Sequence, residues 1–247
     1  MVAGGADRVE LLWTGGWDST FRLLQLLLVE RRAVQPIYVV DPGRRSTRHE
    51  LRAMAAIRAG ALPRLAGPTL LAPSRVVLAG DYPPSPADVA LGQAIRGRGV
   101  KLGDQYVWLA GPAAALGWSG VELAVPGEAE PAPWETVVFD EPGRLGRNPE
   151  AGLFRFWSFP LIGVTKEEMR EIARDHGFLD LLLLRWSCHD PVGDRPCGRC
   201  HPCGLALPDG LHLAPRSVVQ ARATGRSLRR SVARARVALR DPTPVGA

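Results

Sequence analysis

Two short stretches of the chain contain residue types that can do chemistry. The first is Thr14–Thr20, whose sequence is T-G-G-W-D-S-T. The second runs from Cys188 to Cys203 and holds all four cysteines in the spacing C-x8-C-x2-C-x2-C. Glycine turns with neighbouring hydroxyls suit anions, whereas closely spaced thiols suit a soft metal ion. The sequence therefore predicts one anion site and one metal site.

The glycine stretch has the pattern of a strand that turns directly into a helix. Val9–Trp13 is apolar except for Glu10, and apolar residues recur at helical spacing from Phe21 onward. Two glycines allow a sharp turn, and the N–H groups of the first helical turn then point towards one spot where the helix dipole adds roughly half a positive charge. A plain corner without a ligand is the alternative interpretation.

Side chains around this turn extend the predicted anion site. The hydroxyls of Thr14, Ser19 and Thr20 can donate hydrogen bonds to an anion. The carboxylate of Asp18 can cap the helix or hold a metal ion or a water molecule.

The cysteine stretch predicts a structural zinc site. Prolines and a glycine between the cysteines favour tight turns, and four thiolates surround one tetrahedral zinc ion without leaving an open position. Cys188, Cys197, Cys200 and Cys203 are the predicted ligands, and the site is assigned to folding because it is closed. An iron–sulfur cluster is the alternative occupant. His189 and His201 are spare ligands.

Two further groups of basic residues are candidates for contact with a phosphate. Thr165 and Glu168 have the spacing of a capping box, so a helix is predicted to begin there and to end at Gly177. Lys166 then lies in the first turn, where its charge opposes the helix dipole, and a bound phosphate would explain it. Arg44 and Arg45 follow the second predicted strand, 33–41, at the edge where parallel sheets bind ligands. For all three residues, a solvated side chain is the alternative.

In this order the motifs resemble the pyrophosphate-loop enzymes, which split ATP between its α and β phosphates. T-G-G-W-D-S resembles their S/T-G-G-x-D-S loop, and the segment from Pro160 to Met169 resembles their P-L-x-x-x-x-K-x-E-[VIM] segment. With the W-S-C opening at Trp186 and the cysteine spacing, the chain resembles the 7-cyano-7-deazaguanine synthase family over roughly 8–60 and 159–204.

The resemblance implies a ligase that uses ATP and Mg²⁺. A carboxylate would be adenylated and then attacked by ammonia or another amine, and a structural Zn²⁺ would be bound by the four cysteines. It implies catalytic roles for Asp18, Ser19 and Lys166. The implied nucleotide-binding residues are Thr14, Gly15, Gly16, Asp18, Ser19 and Thr20. Arg44 and Arg45 are added to them from their position after the second strand, not from the resemblance.

The middle of the chain departs from this family. The family has characteristic motifs at three places, namely after the second strand, before the third long helix and in a base-recognition segment. In this chain, other sequences stand at these places, over 42–47, 102–105 and 126–131. The acid is therefore a deazaguanine or an unrelated carboxylate. A tRNA-modifying ATPase and a non-catalytic module of the same fold remain as alternatives.

The elements that position these residues predict an α/β fold with a doubly wound, mostly parallel sheet. The resemblance implies that this fold is of the Rossmann-like type found in adenine nucleotide alpha hydrolases. We predict a nucleotide-binding domain over 1–184, a zinc-binding appendage over 185–210, and an arginine-rich helix and tail over 211–247. Four local predictions can be checked. They are a helix from Thr47 to Gly60 with a buried stripe of Leu51, Met54, Ala55 and Ile57, a kink or helix start at Gly111–Pro112, a strand at 136–139 within a long loop over 126–152, and a helix over 217–240.

Composition excludes several classes of protein. With 46% hydrophobic and 23% charged residues in 247, the chain can bury a full core. No signal peptide or membrane span is expected, which predicts a cytoplasmic protein without a membrane partner. The formal charge of +6 comes mainly from arginine, since lysine occurs only at positions 101 and 166, so we attribute it to compositional bias and do not favour a nucleic-acid partner. The C-terminal helix is expected to dock on the body or on a second copy in a homodimer, and an RNA-binding arm is the alternative.

Overall fold

The computed structural model describes residues 8–127 and 131–205. The chain divides into two compact units with their boundary between Trp186 and Ser187. The strands are β1 (Val9–Leu12), β2 (Val34–Val40), β3 (Arg75–Leu78), β4 (Val121–Glu122), β5 (Phe139–Glu141), β6 (Arg144–Leu145) and β7 (Trp157–Ser158). The α-helices are α1 (Trp17–Leu24), α2 (Thr47–Ala61), α3 (Pro86–Gly97), α4 (Asp104–Ala115), α5 (Glu135–Val138), α6 (Lys166–Asp175), α7 (Leu179–Leu182) and α8 (His201–Leu205).

The first unit is built on a five-stranded sheet in the order β3-β2-β1-β4-β7. Every neighbouring pair in this sheet is parallel. The near-continuous apolar sequences of β1 and β2 fit this arrangement, because a parallel strand between covered faces is buried on both sides. The predicted α/β class with a parallel sheet and flanking helices is confirmed.

A buried ion pair joins α1 to β4. Nε and one terminal nitrogen of Arg22 donate to the two carboxylate oxygens of Glu122, over 2.7 Å and 2.9 Å, and the other terminal nitrogen pairs with Glu30. Burial acts to lower the pKa of Arg22, but the hydrogen bonds and charges of Glu122 and Glu30 outweigh it and raise that pKa above its usual value. The ion pair therefore stays charged. It holds α1 against β4, the strand that pairs with β1 on the edge away from β2.

Helix α2 differs from its prediction at both its end and its buried face. Gly60 does not end the helix, which continues to Ala61. A Cβ at Gly60 would lie 2.5 Å from a methyl of Leu181, so this glycine permits close approach of α7. Leu51 is 42% exposed and Ala55 is also exposed, because the buried stripe is rotated relative to the predicted one. The buried residues of α2 are His49, Glu50, Ala53, Met54, Ile57 and Ala61.

Two further local predictions concern α4 and α5. Helix α4 begins at Asp104 and includes Pro112, so Gly111–Pro112 does not mark its start, and a kink there stays a prediction. Positions 136–138 are helical within α5 instead of forming a strand, and β5 and β6 follow as an antiparallel pair. One helical turn places Trp134 and Val138 on the same side, where both are buried and Trp134 stacks on Phe154 with ring centroids 5.3 Å apart.

The described part of the second unit is short. It contains the cysteine segment and α8, and an isolated antiparallel bridge joins Val192 to Arg195. The predicted helix over 217–240 and the predicted segment 211–247 lie outside the described residues. Among the helices of 8–127 and 131–205, none combines the length and the apolar character that a membrane crossing needs.

Candidate functional site

The glycine turn lies at the point where the strand order of the sheet reverses. The chain runs from β1 outward through β2 and β3, and then returns to β4 on the other side of β1. In open parallel sheets the crevice outside the carboxyl ends of the two strands at such a reversal is where ligands bind. Thr14–Gly16 follows the carboxyl end of β1 and leads into α1. The turn therefore occupies the position in which a ligand site is expected.

Contacts from several elements fix the backbone of the turn. Gly15 has φ +71°, and a Cβ there would lie 3.0 Å from Cγ of Met54 and 3.2 Å from the carbonyl oxygen of Glu50. The Trp186 N–H donates to the carbonyl oxygen of Gly15 over 2.8 Å. Gly16 is the N-cap of α1 and offers no side chain to satisfy the first-turn N–H groups. The turn is thus a preformed bend whose helix start is suited to an anion.

A buried hydrogen-bond network lies beneath the turn. The Glu50 carboxylate accepts hydrogen bonds from the Tyr38 hydroxyl over 2.7 Å and from the Ser46 hydroxyl over 2.6 Å. Burial, together with the Glu50 charge, raises the pKa of Tyr38 well above its usual value. Tyr38 therefore stays a hydrogen-bond donor, and the network holds the start of α2 against β2.

The structure separates the three predicted hydroxyl donors. The Thr14 and Ser19 hydroxyls lie 3.5 Å apart, and the Thr14 N–H lies 3.4 Å from the Ser19 oxygen. Both distances are at the long limit for a hydrogen bond, which leaves these groups able to turn towards a ligand. Thr20 is fully buried, and its hydroxyl accepts a hydrogen bond from the Trp13 indole over 3.1 Å. Thr20 supports the helix from inside instead of facing a ligand.

Asp18 lies in the first turn of α1 and within electrostatic reach of Tyr106 in α4. Burial raises the pKa of Tyr106 to about 12, a hydrogen bond with Gln105 opposes the rise, and the charges of Glu135 and Asp18 add to it. Tyr106 lies in the first turn of α4 and Glu135 is the first residue of α5, so the Tyr106 hydroxyl lies within electrostatic reach of carboxylates from α1 and α5. The sequence analysis missed both residues, because 126–152 was taken as a loop and no motif marks Tyr106.

The two predicted arginines after β2 have different surroundings. Arg44 is half-buried, with Nε 3.4 Å from Asp41 and a terminal nitrogen 3.9 Å from Glu50. Its other terminal nitrogen lies 3.4 Å from the side-chain oxygen of Gln105 in α4. Arg45 is exposed. The charge of Arg44 is therefore already balanced by carboxylates, and its side chain connects the loop after β2 to α4.

The predicted helix that carries Lys166 is confirmed. Thr165 is the N-cap of α6, and its capping box with Glu168 is complete in both directions. Hydrogen bonds from the Thr165 N–H and hydroxyl lower the pKa of Glu168, which keeps the box ionised. Lys166 is half-buried in the first turn, and α6 packs against α1. Arg170 follows Lys166 by four residues and so lies on the same face of the helix.

Trp17, the first residue of α1, is flanked by two guanidinium groups. The Arg185 Cζ lies 5.2 Å from the centre of its ring and the Arg170 Cζ lies 6.0 Å from it. Burial and the neighbouring Arg170 lower the pKa of Arg185 to about 10. The sequence analysis missed both arginines, although the four-residue spacing from Lys166 is a signal that could have found Arg170.

Trp186 secures the turn from the end of the first unit. Its indole stacks on the buried imidazole of His49, with ring centroids 4.6 Å apart and an interplanar angle of 22°. The same residue donates its backbone N–H to Gly15. Stacking therefore fixes the segment whose backbone holds the glycine turn.

In the second unit, the four cysteines form one cluster that could hold a metal ion. Their sulfur atoms all lie within 4.8 Å of one another, and those of Cys188 and Cys200 are 4.0 Å apart. Four thiolates around zinc, with Zn–S near 2.3 Å, place their sulfurs about 3.8 Å apart, so the cluster fits this ion. Cys188, Cys197 and Cys203 are buried and Cys200 is half-buried.

Backbone donors around the sulfurs also fit a thiolate site. The Cys197 N–H donates to the Cys188 sulfur over 3.1 Å, and the N–H groups of Arg199 and Cys200 donate to the Cys197 sulfur over 3.3 Å and 3.2 Å. Such hydrogen bonds stabilise ionised sulfur and orient metal ligands. A metal site of the zinc type is therefore supported by both spacing and hydrogen bonding.

Comparisons with known proteins found no match to this chain among protein-family models, curated proteins or solved structures.

Proposed function

We propose that the chain is an ATP-dependent carbon–nitrogen ligase that adenylates a carboxylate and releases pyrophosphate, as in the 7-cyano-7-deazaguanine synthase family that it resembles. The observation that carries the proposal is the glycine turn, which follows the central strand at the reversal of strand order and has Gly15 at φ +71°. This arrangement joins a ligand-binding position of the fold to backbone donors suited to phosphate.

The reaction follows from the weakness of a carboxylate as an electrophile. A carboxylate oxygen attacks the α-phosphorus of ATP, the bond to the bridging oxygen of the β-phosphate breaks, and pyrophosphate leaves. Ammonia or another amine then attacks the acyl carbon, AMP leaves, and the nitrogen loses a proton to give an amide. In the family that the chain resembles, a second adenylation of the amide oxygen precedes its dehydration to a nitrile.

The residues of the turn supply charge stabilisation and positioning in this scheme. The N–H groups at the start of α1 and the hydroxyls of Thr14 and Ser19 would bind the pyrophosphate as negative charge develops on it. Asp18 would hold Mg²⁺, whose role is to neutralise phosphate charge. Lys166 would contact the same phosphates from α6. The scheme uses no thiol nucleophile. This agrees with the cysteines of the chain, because all four lie in the cluster that could hold a metal ion.

The cysteine cluster has a structural role in this proposal. Four sulfur ligands complete the coordination of a tetrahedral zinc ion and leave no position for a substrate. The metal would then stabilise the segment after Trp186 without taking part in adenylation.

A pyrophosphate-release screen tests the proposal. The zinc-loaded protein is incubated with ATP, Mg²⁺, ammonia and a series of carboxylates that includes 7-carboxy-7-deazaguanine and protein C-termini. We expect at least one acid to give pyrophosphate, and we expect Asp18→Ala to lower that rate by about a hundredfold or more, the scale on which a lost charge-stabilising group acts in catalysis. Asp175→Ala, at the exposed end of α6, is the matched control. Undiminished pyrophosphate release by Asp18→Ala would overturn the site, and no release with any acid would favour a non-catalytic module.

A further inference from the structure

The indole of Trp17 has an unsatisfied hydrogen-bond donor beside the glycine turn. Trp17 is 4% exposed, and its buried Nε1 finds no acceptor among the described residues. A buried N–H without a partner costs about 1–3 kcal/mol, so such a group in a native protein requires an explanation. A bound ligand that supplies a hydrogen-bond acceptor would explain the group.

Two positive charges adjoin the same indole. The guanidinium carbons of Arg185 and Arg170 lie 5.2 Å and 6.0 Å from the ring centre, and Arg185 is only 6% exposed. Burial and the charge of Arg170 lower the pKa of Arg185 to about 10, so Arg185 remains cationic near neutral pH. Two cations beside an indole whose N–H has no acceptor among the described residues match an anion, because anionic oxygens accept hydrogen bonds from guanidinium groups and from the indole N–H alike.

The position of this group connects it to the glycine turn. Trp17 directly follows Gly16, and Trp186, the residue after Arg185, donates its N–H to Gly15. Arg170 lies one helical turn from Lys166 on the same face of α6. The three residues therefore lie beside the turn and reach it from three different parts of the first unit.

We propose that Trp17, Arg170 and Arg185 form a second oxyanion-binding subsite next to the glycine turn. The subsite holds an anionic group of the substrates, which is the terminal phosphoryl group of ATP or the carboxylate of the acid. The identity of these ligands rests on the proposed function, whereas the existence of the subsite does not.

Binding measured by isothermal titration calorimetry tests the subsite, with ATP, AMP and 7-carboxy-7-deazaguanine as probes. The test variants are Arg170→Gln and Trp17→Phe, which keeps the ring and removes the N–H. Arg174→Gln is the control for Arg170, since it lies exposed one turn further along α6. Trp118→Phe is the control for Trp17. The buried Nε1 of Trp118 also finds no acceptor in the described part of the chain, but Trp118 precedes the amino end of β4 and so lies away from the carboxyl ends of the strands.

The expected result is weaker binding by both test variants and unchanged binding by both controls. We expect about a tenfold loss for Arg170→Gln and about a fivefold loss for Trp17→Phe, the range for a lost charged and a lost neutral hydrogen bond. A loss for ATP but not for AMP assigns the subsite to the β- or γ-phosphoryl group, and ADP as a further probe separates these two. A loss for the acid alone assigns the subsite to the carboxylate.

Two results would overturn the subsite. One is unchanged affinity for ATP and for the acid in both test variants, accompanied by a lower urea midpoint, which would mean that the arginines only stack on the indole. The other arises if the wild-type protein binds neither ATP nor the acid, a result that by itself contradicts only the proposed function. The subsite is then tested with inorganic pyrophosphate as the probe. It is overturned if wild type and variants bind pyrophosphate equally or do not bind it at all.

Discussion

The glycine turn and the cysteine segment reach order by different means. The turn is fixed by groups from a buried core, including Met54 on one side and the Trp186 N–H on the other. In the described part of 187–205, the buried side chains are those of Pro191, Cys188, Cys197 and Cys203, so most of the buried interior is sulfur. A core can prepare a site before any ligand binds, whereas a segment whose interior is sulfur needs a metal ion to hold it together. The comparison predicts that the two regions respond differently to the same treatments.

Metal removal should give the largest difference between the two regions. Structural zinc is worth about 10–16 kcal/mol of apparent binding free energy, so chelation or Cys197→Ser should remove one equivalent of zinc and the hydrogen-exchange protection of 187–205. Protection of β1 and β2 should persist. Metal content by mass spectrometry and exchange at each amide check this, with His189→Ala as the control that keeps the four sulfur ligands. Zinc retained at full stoichiometry by Cys197→Ser would contradict the assigned ligands.

Replacement of Gly15 by alanine should lower the free energy of unfolding by more than the left-handed backbone angle at this position would by itself. Gly15 and Gly177 both have φ +71°, but no described atom lies within 4 Å of a Cβ at Gly177. Gly177→Ala should therefore cost about 1 kcal/mol for the left-handed conformation. Gly15→Ala should cost about 1–3 kcal/mol more because its Cβ overpacks against Met54.

Urea unfolding of the two variants measures this difference. ATP binding should be weakened in Gly15→Ala and retained in Gly177→Ala. Equal free energies of unfolding would show that the contact with α2 does not constrain the turn.

Acid should lower the stability of the core by a smaller amount. Burial acts to raise the pKa of Asp88, but hydrogen bonds from Arg155 over 2.7 Å and from Ser85 outweigh it and lower that pKa below its usual value. The unfolded chain therefore binds the proton first, and the stabilisation present above about pH 4 is lost as the pH falls through the folded-state pKa. Because Arg155 is 45% exposed, we expect only about 1–2 kcal/mol.

The free energy of unfolding of wild type and Asp88→Asn at pH 7 and pH 3 measures this contribution. The difference between them should be largest at pH 7 and should shrink at pH 3. Asp175→Asn is the exposed control. A difference that does not depend on pH would assign the effect to packing instead of charge.

Local chemistry made part of the fold predictable. The strand, glycine turn and helix around Thr14–Thr20 follow from hydrophobic spacing and glycine freedom, and the start of α6 follows from the Thr165–Glu168 capping box. The cysteine cluster follows from spacing alone, because short loops between thiols leave few other arrangements.

Tertiary packing decided what local patterns could not. Gly60 has the composition of a helix stop, but its missing side chain serves the approach of Leu181. Positions 136–138 have β-branched residues, yet burial of Trp134 and Val138 on one side favours a helical turn. The group around Trp17 and the proximity of Tyr106 to Asp18 join residues far apart in sequence, so neither leaves a local signal.

The sheet also has a consequence for how the chain is made. Its central strand is the first to leave the ribosome, and the pairing that covers its second edge depends on β4, as the separation of 100 positions between Arg22 and Glu122 illustrates. Contacts so distant in sequence slow folding, and an open apolar edge invites association with other chains. One edge of β1 therefore stays unpaired until synthesis has passed β4.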